Sequence, residues 1–292
     1  MDIIRLLKLL LYTSMIIIFI ILLFVFLLLN TNNNEGFENY NIPKIAWSYW
    51  DNELPDQIQQ IVDNNRKMLK GWKYIIVNKK NESTYVNQED KPNTSKLSVQ
   101  HYSDWLRLYL LKKYGGLWID ISILLNDSLD EFYNQSVIVD SELSGFRGKH
   151  FETSGLPVIE NWFIMAPKGS EVIRLWFEEF EKAINMGFIA YKKEAIKNGV
   201  NYQNIFGKRM WEVYLTQHGC LQVVLQKRLQ REPSMYLEDA ADSMFKIHHT
   251  CGWEHSCLQE KINDYTFSKQ LPYIKLRSED RKGLDLALYF NN

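Results

Sequence analysis

One unbroken block, "KLSVQHYSDWLRLYLLKKYGGLWIDISILL" over residues 96–125, narrows the fold more than any other feature. Its first part, Lys96 to Tyr114, places Trp105, Leu106, Tyr109 and Leu110 at helical spacing. Gly115-Gly116 ends that helix, because glycine takes the left-handed backbone of a helix C-terminus at no steric cost. Leu117 to Leu125 then reads as a strand. A helix that becomes a strand after two glycines must lie beside it, which is the signature of a layered α/β domain.

The rest of the chain repeats that alternation. "IPKIAWSYW" (Ile42 to Trp50) reads as a first strand, with Pro43 at its start. "PDQIQQIVDNNRKMLKG" has Ile58, Ile61, Val62, Met68 and Leu69 at helical spacing and stops at Gly71. "WKYIIVN" is a second strand. "SVIVD" (Ser136 to Asp140) and "NWFIMAP" (Asn161 to Pro167) read as two more. "GSEVIRLWFEEFEKAINMG" is an amphipathic helix capped by Ser170 and ended by Gly187. A further helix is expected from about Lys208 into the Gln230 region, with a break near Gly219. "MFKIHHT" reads as a late strand or turn. Strands alternating with helices imply a mainly parallel central sheet in one domain from Ile42 to Asn292.

The N-terminus is a separate matter. Leu9 to Leu29 carries no charge, close to the ~20 residues that a helix needs to cross a bilayer core. Arg5 and Lys8 precede it, and no basic residue follows until Lys44. The positive-inside rule makes residues 1–8 a cytosolic tail and 9–29 a transmembrane signal-anchor. Residues 30–41 are then a polar, Asn-rich stem. The expected protein is single-pass and type II, with its domain in the lumen or on the exoplasmic side; a cleaved signal peptide is the rival. The net charge of -1 and the lack of a basic stripe exclude nucleic acid as a partner. The spacing of Cys220, Cys251 and Cys257 fits no zinc motif. Free buried thiols are the default, and a Cys251–Cys257 disulfide is the alternative in an oxidising compartment. N-x-S/T sequons start at Asn81, Asn93, Asn126 and Asn134.

Asp120 interrupts an otherwise apolar strand. Side chains alternate along a strand, so Trp118, Asp120 and Ser122 share one face and Leu117, Ile119, Ile121 and Ile123 the other. A lone buried carboxylate is too costly without a partner. It pairs with an arginine or caps a neighbouring turn for stability, or else serves a ligand in the crevice at the strand's carboxyl end. The preceding helix supplies the second half of a site. His101, Asp104 and Arg107 recur every three residues on one side of it, next to the Asp120 strand.

"IPKIAWSYW", "SDWLRLYLLKKYGGLWIDISILL" and "NWFIMAPKGSEVIRLWFEEF", in that order, resemble the capsular polysaccharide synthesis family of glycosyltransferases, within the larger group that carries a DXD sugar-binding motif. The resemblance implies a GT-A type, Rossmann-like domain, a UDP- or GDP-sugar donor and a glycan or glycoconjugate acceptor. It also implies a divalent cation, Mn²⁺ or Mg²⁺. Carried onto matching positions, Asp104, Arg107 and Asp120 are the catalytic set and also bind the donor. Trp47 would stack on the nucleobase or else be a core tryptophan. Tyr49 joins the donor site, and Asn161 either contacts the donor or makes a strand-end turn. Metal ligands would be Asp120, Ser122, His248 and His249, the histidines otherwise being a turn or surface pair. Ser122 departs from the motif, since a hydroxyl binds hard cations more weakly than a carboxylate. The family pattern implies a retaining transfer. A catalytically weak or inactive binding module on the same fold is the alternative, and a membrane-tethered structural protein is a third reading.

Overall fold

The computed structural model describes residues 41–93, 97–153, 155–202, 205, 211–282 and 284–291. The expected tail, membrane-spanning run and most of the stem lie outside them. Among the described residues no helix is long and apolar enough to cross a membrane.

A six-stranded sheet in the order β2-β1-β3-β6-β5-β7 forms the centre. Its strands are β1 (Ile45–Tyr49), β2 (Lys73–Val77), β3 (Gly116–Ile119), β5 (Leu143–Thr153), β6 (Leu156–Ala166) and β7 (Met235–Asp239). Three neighbouring pairs run parallel: β1 with β2, β1 with β3, and β5 with β7. β6 runs antiparallel to both β3 and β5, because β5 and β6 form a hairpin that pairs Thr153 with Leu156. The sheet is therefore mostly parallel, with one reversed strand inside it. A second, two-stranded sheet pairs β4 (Ile123–Leu125) with β8 (Tyr273–Lys275).

Helices cover both faces. α1 (Asp56–Met68) and α2 (Val99–Tyr114) follow β1 and β2, α3 (Asp130–Ile138) follows β4, and α4 (Glu171–Met186) follows β6. Next come α5 (Phe188–Lys197), α6 (Trp211–Tyr214) and α7 (Thr216–Val223). A π-helical turn, Val224–Arg228, continues α7. Gly219, the expected break, sits buried within α7, and the irregularity falls just after it. Ser98 and Ser170 cap α2 and α4, their hydroxyls accepting from the amides of His101 and Ile173.

The alternation expected around residue 118 holds within β3. Trp118 packs with Trp105, Leu106, Tyr109, Trp176 and Phe180 in the core under α2 and α4. Leu117 and Ile119 join Phe132, Phe146 and Phe163 on the other face. A third core forms among Ile58, Ile61, Leu124, Ile247 and Leu258.

Several expected elements differ. The strand Leu117 to Leu125 is two strands in two sheets, with a turn at residues 120–122 closed by Ile123 N–H donating to Asp120 O at 2.9 Å. Buried Asn65 of α1 makes that split possible. It donates to Ile123 O at 2.7 Å and accepts from Leu125 N at 3.0 Å, filling the ladder that β4 leaves open. "SVIVD" is not a strand: it completes α3 and its turn, with Phe132 and Ser136 buried and Val137, Ile138 and Val139 exposed. "MFKIHHT" contains a short helix, α8 (Lys246–Thr250). Cys251 and Cys257 form a disulfide with Cα atoms 5.5 Å apart, which corrects the free-thiol default; Cys220 alone is a free, buried thiol. The amide of Asn126 donates to Ser268 O and Leu271 O, so that sequon is consumed by the fold.

The junction of α2 and β3 is the tightest point. Gly115 and Gly116 have φ of 70° and 97°. A Cβ on Gly116 would lie 2.3 Å from Ile45 O, whereas one on Gly71, at φ 87°, would meet nothing within 4 Å. Gly71→Ala should therefore lose only the backbone strain of about 1–3 kcal/mol. Gly116→Ala should lose clearly more, because β1 must move as well. Urea unfolding of both variants measures the difference, and equal losses would show that the close approach does not matter.

Candidate functional site

A cleft of about 370 Å³ opens where β1 and β3 end, within the size range of small-molecule sites. Its lining includes Tyr49, Asp104, Arg107, Asp120, Ser122 and Asn161. Each reaches the cleft for a local reason. Asp120 follows the last residue of β3, where the parallel strands end and the chain turns toward β4. Asp104 and Arg107 stand three residues apart on α2, which the Gly115-Gly116 turn folds back against β3. Asn161 lies in β6, next to β3.

Their contacts form one network. Arg107 Nη1 donates to Asp104 Oδ1 and to Gln217 Oε1, each at 2.6 Å. Arg107 Nη2 donates to Asp120 Oδ1 at 3.1 Å. The guanidinium also stacks 4.9 Å from the Trp118 ring. Asn161 Nδ2 donates to Asp104 Oδ1 at 3.1 Å and to Gln217 Oε1 at 2.7 Å. Gln217 Nε2 returns a bond to the Asp104 backbone oxygen at 2.7 Å. Trp118 Nε1 donates to Asp120 Oδ1 at 3.0 Å. Lys275 Nζ, from β8, donates to Asp120 Oδ2 at 2.6 Å.

The two carboxylates are tuned in opposite directions. Burial raises the Asp104 carboxyl above its ordinary range, and the Arg107 guanidinium offsets only part of that. Burial pushes Asp120 the same way, but Lys275 and Arg107 together outweigh it and hold the carboxyl below its ordinary range. Burial, with Asp51 and Glu82 adding to it, pushes the Tyr49 phenol up to about 12, so it stays neutral.

Three expected site residues lie elsewhere. Trp47 is 2% exposed, its indole N–H donates to Gly115 O at 3.0 Å, and its ring packs on Tyr85 and Tyr114. It is a core tryptophan, because its β1 position faces α2 rather than the strand end. His248 is fully buried on α8, with Nε2 2.9 Å from Asp280 Oδ2. His249 is exposed on the same helix and packs against Trp253. Neither histidine lines the cleft. His101 is directed to Val213 O and the Phe188 ring instead.

Lys275 and Gln217 escaped the sequence reading. Lys275 carried the same signal as Asp120, a lone charge in an apolar run, "YIKL". Its partner became legible only through the β4–β8 register, which sets Lys275 opposite Ile123. Gln217 offers no such signal.

The opposed tuning fixes the acid response. Asp120 has a folded-state pKa below its unfolded value, so its stabilising contribution is present above about pH 4. That contribution is lost as pH falls through the folded value. Asp104 acts the other way, costing stability as pH rises from about 4 through its raised value. Asp120→Asn should therefore lower stability at neutral pH by about 1–3 kcal/mol. The side chain keeps 28% of its surface exposed, which holds the loss below that of a fully enclosed pair. The deficit should shrink on acidification below about pH 4. Denaturant titrations at several pH values test this, and a deficit independent of pH would refute the charge assignment.

The chain resembles known proteins. It is 30% identical over 158 residues to "O-glycosyltransferase braB" of Annulohypoxylon truncatum, a match spanning 48% of this chain and 37% of that protein. It is 28% identical over 154 residues to "Glycosyltransferase afumC" of Aspergillus fumigatus, spanning 46% and 39%. The matches thus span less than half the length of these curated relatives. Among solved structures, a glycosyltransferase involved in the glycosylation of the major capsid of PBCV-1 aligns at a TM-score of 0.43 and 10% identity, covering 82% of this chain and 98% of that one. Residues 26–256 match the family described as "Capsular polysaccharide synthesis protein", a span that contains Asp104, Arg107, Asp120 and Asn161. The chain belongs to that family.

Proposed function

We propose that this protein is a glycosyltransferase that moves a sugar from a UDP- or GDP-sugar donor to a glycan or glycoconjugate hydroxyl. The observation that carries the reading is the convergence of Asp104, Arg107 and Asp120, from a helix and a strand end, on one cleft at the carboxyl edge of the parallel strands. Glycosyl transfer develops positive charge on the sugar and negative charge on the departing diphosphate. A guanidinium held by two acids suits the leaving group, and fixed carboxylates suit sugar hydroxyls. Retention of anomeric configuration is part of the proposal. Asp104 and Asp120 are both engaged by Arg107 rather than poised as covalent nucleophiles. The acceptor then attacks on the face from which the diphosphate departs.

The divalent cation that the family pattern implies does not fit these donors. Asp120 Oδ1 is taken by Arg107 and Trp118, Asp120 Oδ2 by Lys275, and the second acid position is Ser122. Among the described residues no group of three His, Cys, Asp or Glu side chains could hold a metal.

The membrane anchor is part of the same proposal. The uncharged run Leu9 to Leu29 behind Arg5 and Lys8 supports a type II orientation. The Cys251–Cys257 disulfide suits a domain in the oxidising lumen or on the exoplasmic side.

A panel of sugar nucleotides, assayed for donor hydrolysis and transfer, tests the activity. Asp120→Asn and Arg107→Lys should lower turnover on the active donor by roughly 100-fold or more, with folding checked by thermal melting. NMR of the product's anomeric proton reads retention directly, and an inverted product would reverse that part. The alternative, a binding module without turnover, is favoured by the engagement of both Asp120 oxygens. It predicts donor binding with no released sugar.

A further inference from the structure

The surroundings of Asp120 already contain a cation. Lys275 Nζ lies 2.6 Å from Asp120 Oδ2 and 3.5 Å from Ser122 Oγ, the two motif positions that would hold a dication. The lysine side chain is 10% exposed. The β4–β8 register fixes its backbone opposite Ile123, and its amide donates to Met244 O. A metal bound at this point would sit against the ammonium, and like charges at such range repel strongly.

We propose that Lys275, with Arg107, is the built-in cation that neutralises the donor's diphosphate, in the place a divalent metal would take. The inference rests on the transferase reading above. Arg107, Lys275 and Arg281 line the cleft against Asp104 and Asp120. The third lining acid, Asp51, lies 3.7 Å from Lys79, which is not part of the lining. Among the described residues the lining therefore holds three cations against three acids. Donor capacity supports it. An ammonium has three N–H groups; Asp120 accepts one, and Ser122 stands at the limit of a second. Among the described residues the buried Arg107 Nε–H has no partner. Ser122 is then the complement of Lys275: a carboxylate there would compete with the diphosphate for the ammonium.

In the step so assisted, the bond from the anomeric carbon to the diphosphate oxygen breaks, and its electron pair leaves with the diphosphate. The acceptor oxygen bonds to the anomeric carbon, and its proton passes to the departing diphosphate. Lys275 stays an ammonium throughout, donating hydrogen bonds to phosphate oxygen.

Titration calorimetry of the full chain with UDP, GDP and inorganic pyrophosphate, in EDTA and then in Mn²⁺, tests this. The wild-type protein should bind a nucleoside diphosphate in EDTA, with less than a threefold gain from Mn²⁺. Lys275→Met should weaken that binding by about 10- to 100-fold, and Lys275→Arg should restore most of it. Thermal melting of both variants separates lost binding from lost folding. If Lys275→Met does not fold, Lys275→Arg and the EDTA comparison on the wild type still decide. Binding that appears only with Mn²⁺ overturns this inference and leaves the transferase reading intact. No nucleotide or pyrophosphate binding in either condition removes both.

Discussion

A single carboxylate, that of Asp120, ties its own strand to a helix 13 residues back and to a strand 155 residues on. Arg107 reaches it from α2 and Lys275 from β8, while Trp118 holds it from its own strand. Burying a charge is tolerable only when its lone pairs are taken, and here both oxygens are. The consequence runs outward. α2 must lie flat on β3, so two glycines occupy the turn where a Cβ would collide with Ile45 O or Lys168 N. β4 must leave the main sheet, so Asn65 fills its open backbone groups. The small β4–β8 sheet exists at the place needed to bring Lys275 alongside.

The same network divides its electrostatics. Asp104 is enclosed, and burial outweighs its guanidinium partner; Asp120 sits nearer the opening with two cations, and its charge is favoured. Two acids that share one arginine are thereby made chemically different, the pattern by which one site holds groups of different tasks. Gln217 and Asn161 keep the geometry without adding charge. Gln217 binds the backbone of Asp104 and accepts from both Arg107 and Asn161, so the arginine has a neutral partner that no ligand needs to displace.

Local patterns were legible where local forces decide. The helix ending on Gly115-Gly116, the cap at Ser170, the amphipathic α4 and the two faces of β3 were all readable, because periodicity and caps act over a few residues. Asp104, Arg107 and Asp120 were readable as a set because the glycine turn forces the helix onto the strand. The failures share one cause, tertiary context. Leu117 to Leu125 looks like one strand, and only the competing demand of Asn65 and β8 divides it. "SVIVD" has strand-forming residues, yet Phe132 and Ser136 bury the opposite side of a helix. His248 and His249 suggested a metal site, whereas His248 serves Asp280, thirty-two residues on in the chain. Trp47 had the right strand but the wrong face.

Ser122 and Lys275 are best understood as one choice made at two positions. With an acid at position 122, the turn after β3 would carry two carboxylates close together, and electroneutrality would call for more positive charge than one ammonium carries. With serine there, a single lysine suffices, and Ser122 Oγ can sit within 3.5 Å of it at no charge cost. The serine and the lysine lie more than one hundred and fifty residues apart, yet antiparallel pairing of Ile123 with Lys275 makes them neighbours. A charged side chain that looks out of place in a strand is therefore best judged by its cross-strand register. In this protein that register turns two isolated oddities, a hydroxyl where an acid was expected and a lysine inside an apolar run, into neighbours around one carboxylate, that of Asp120.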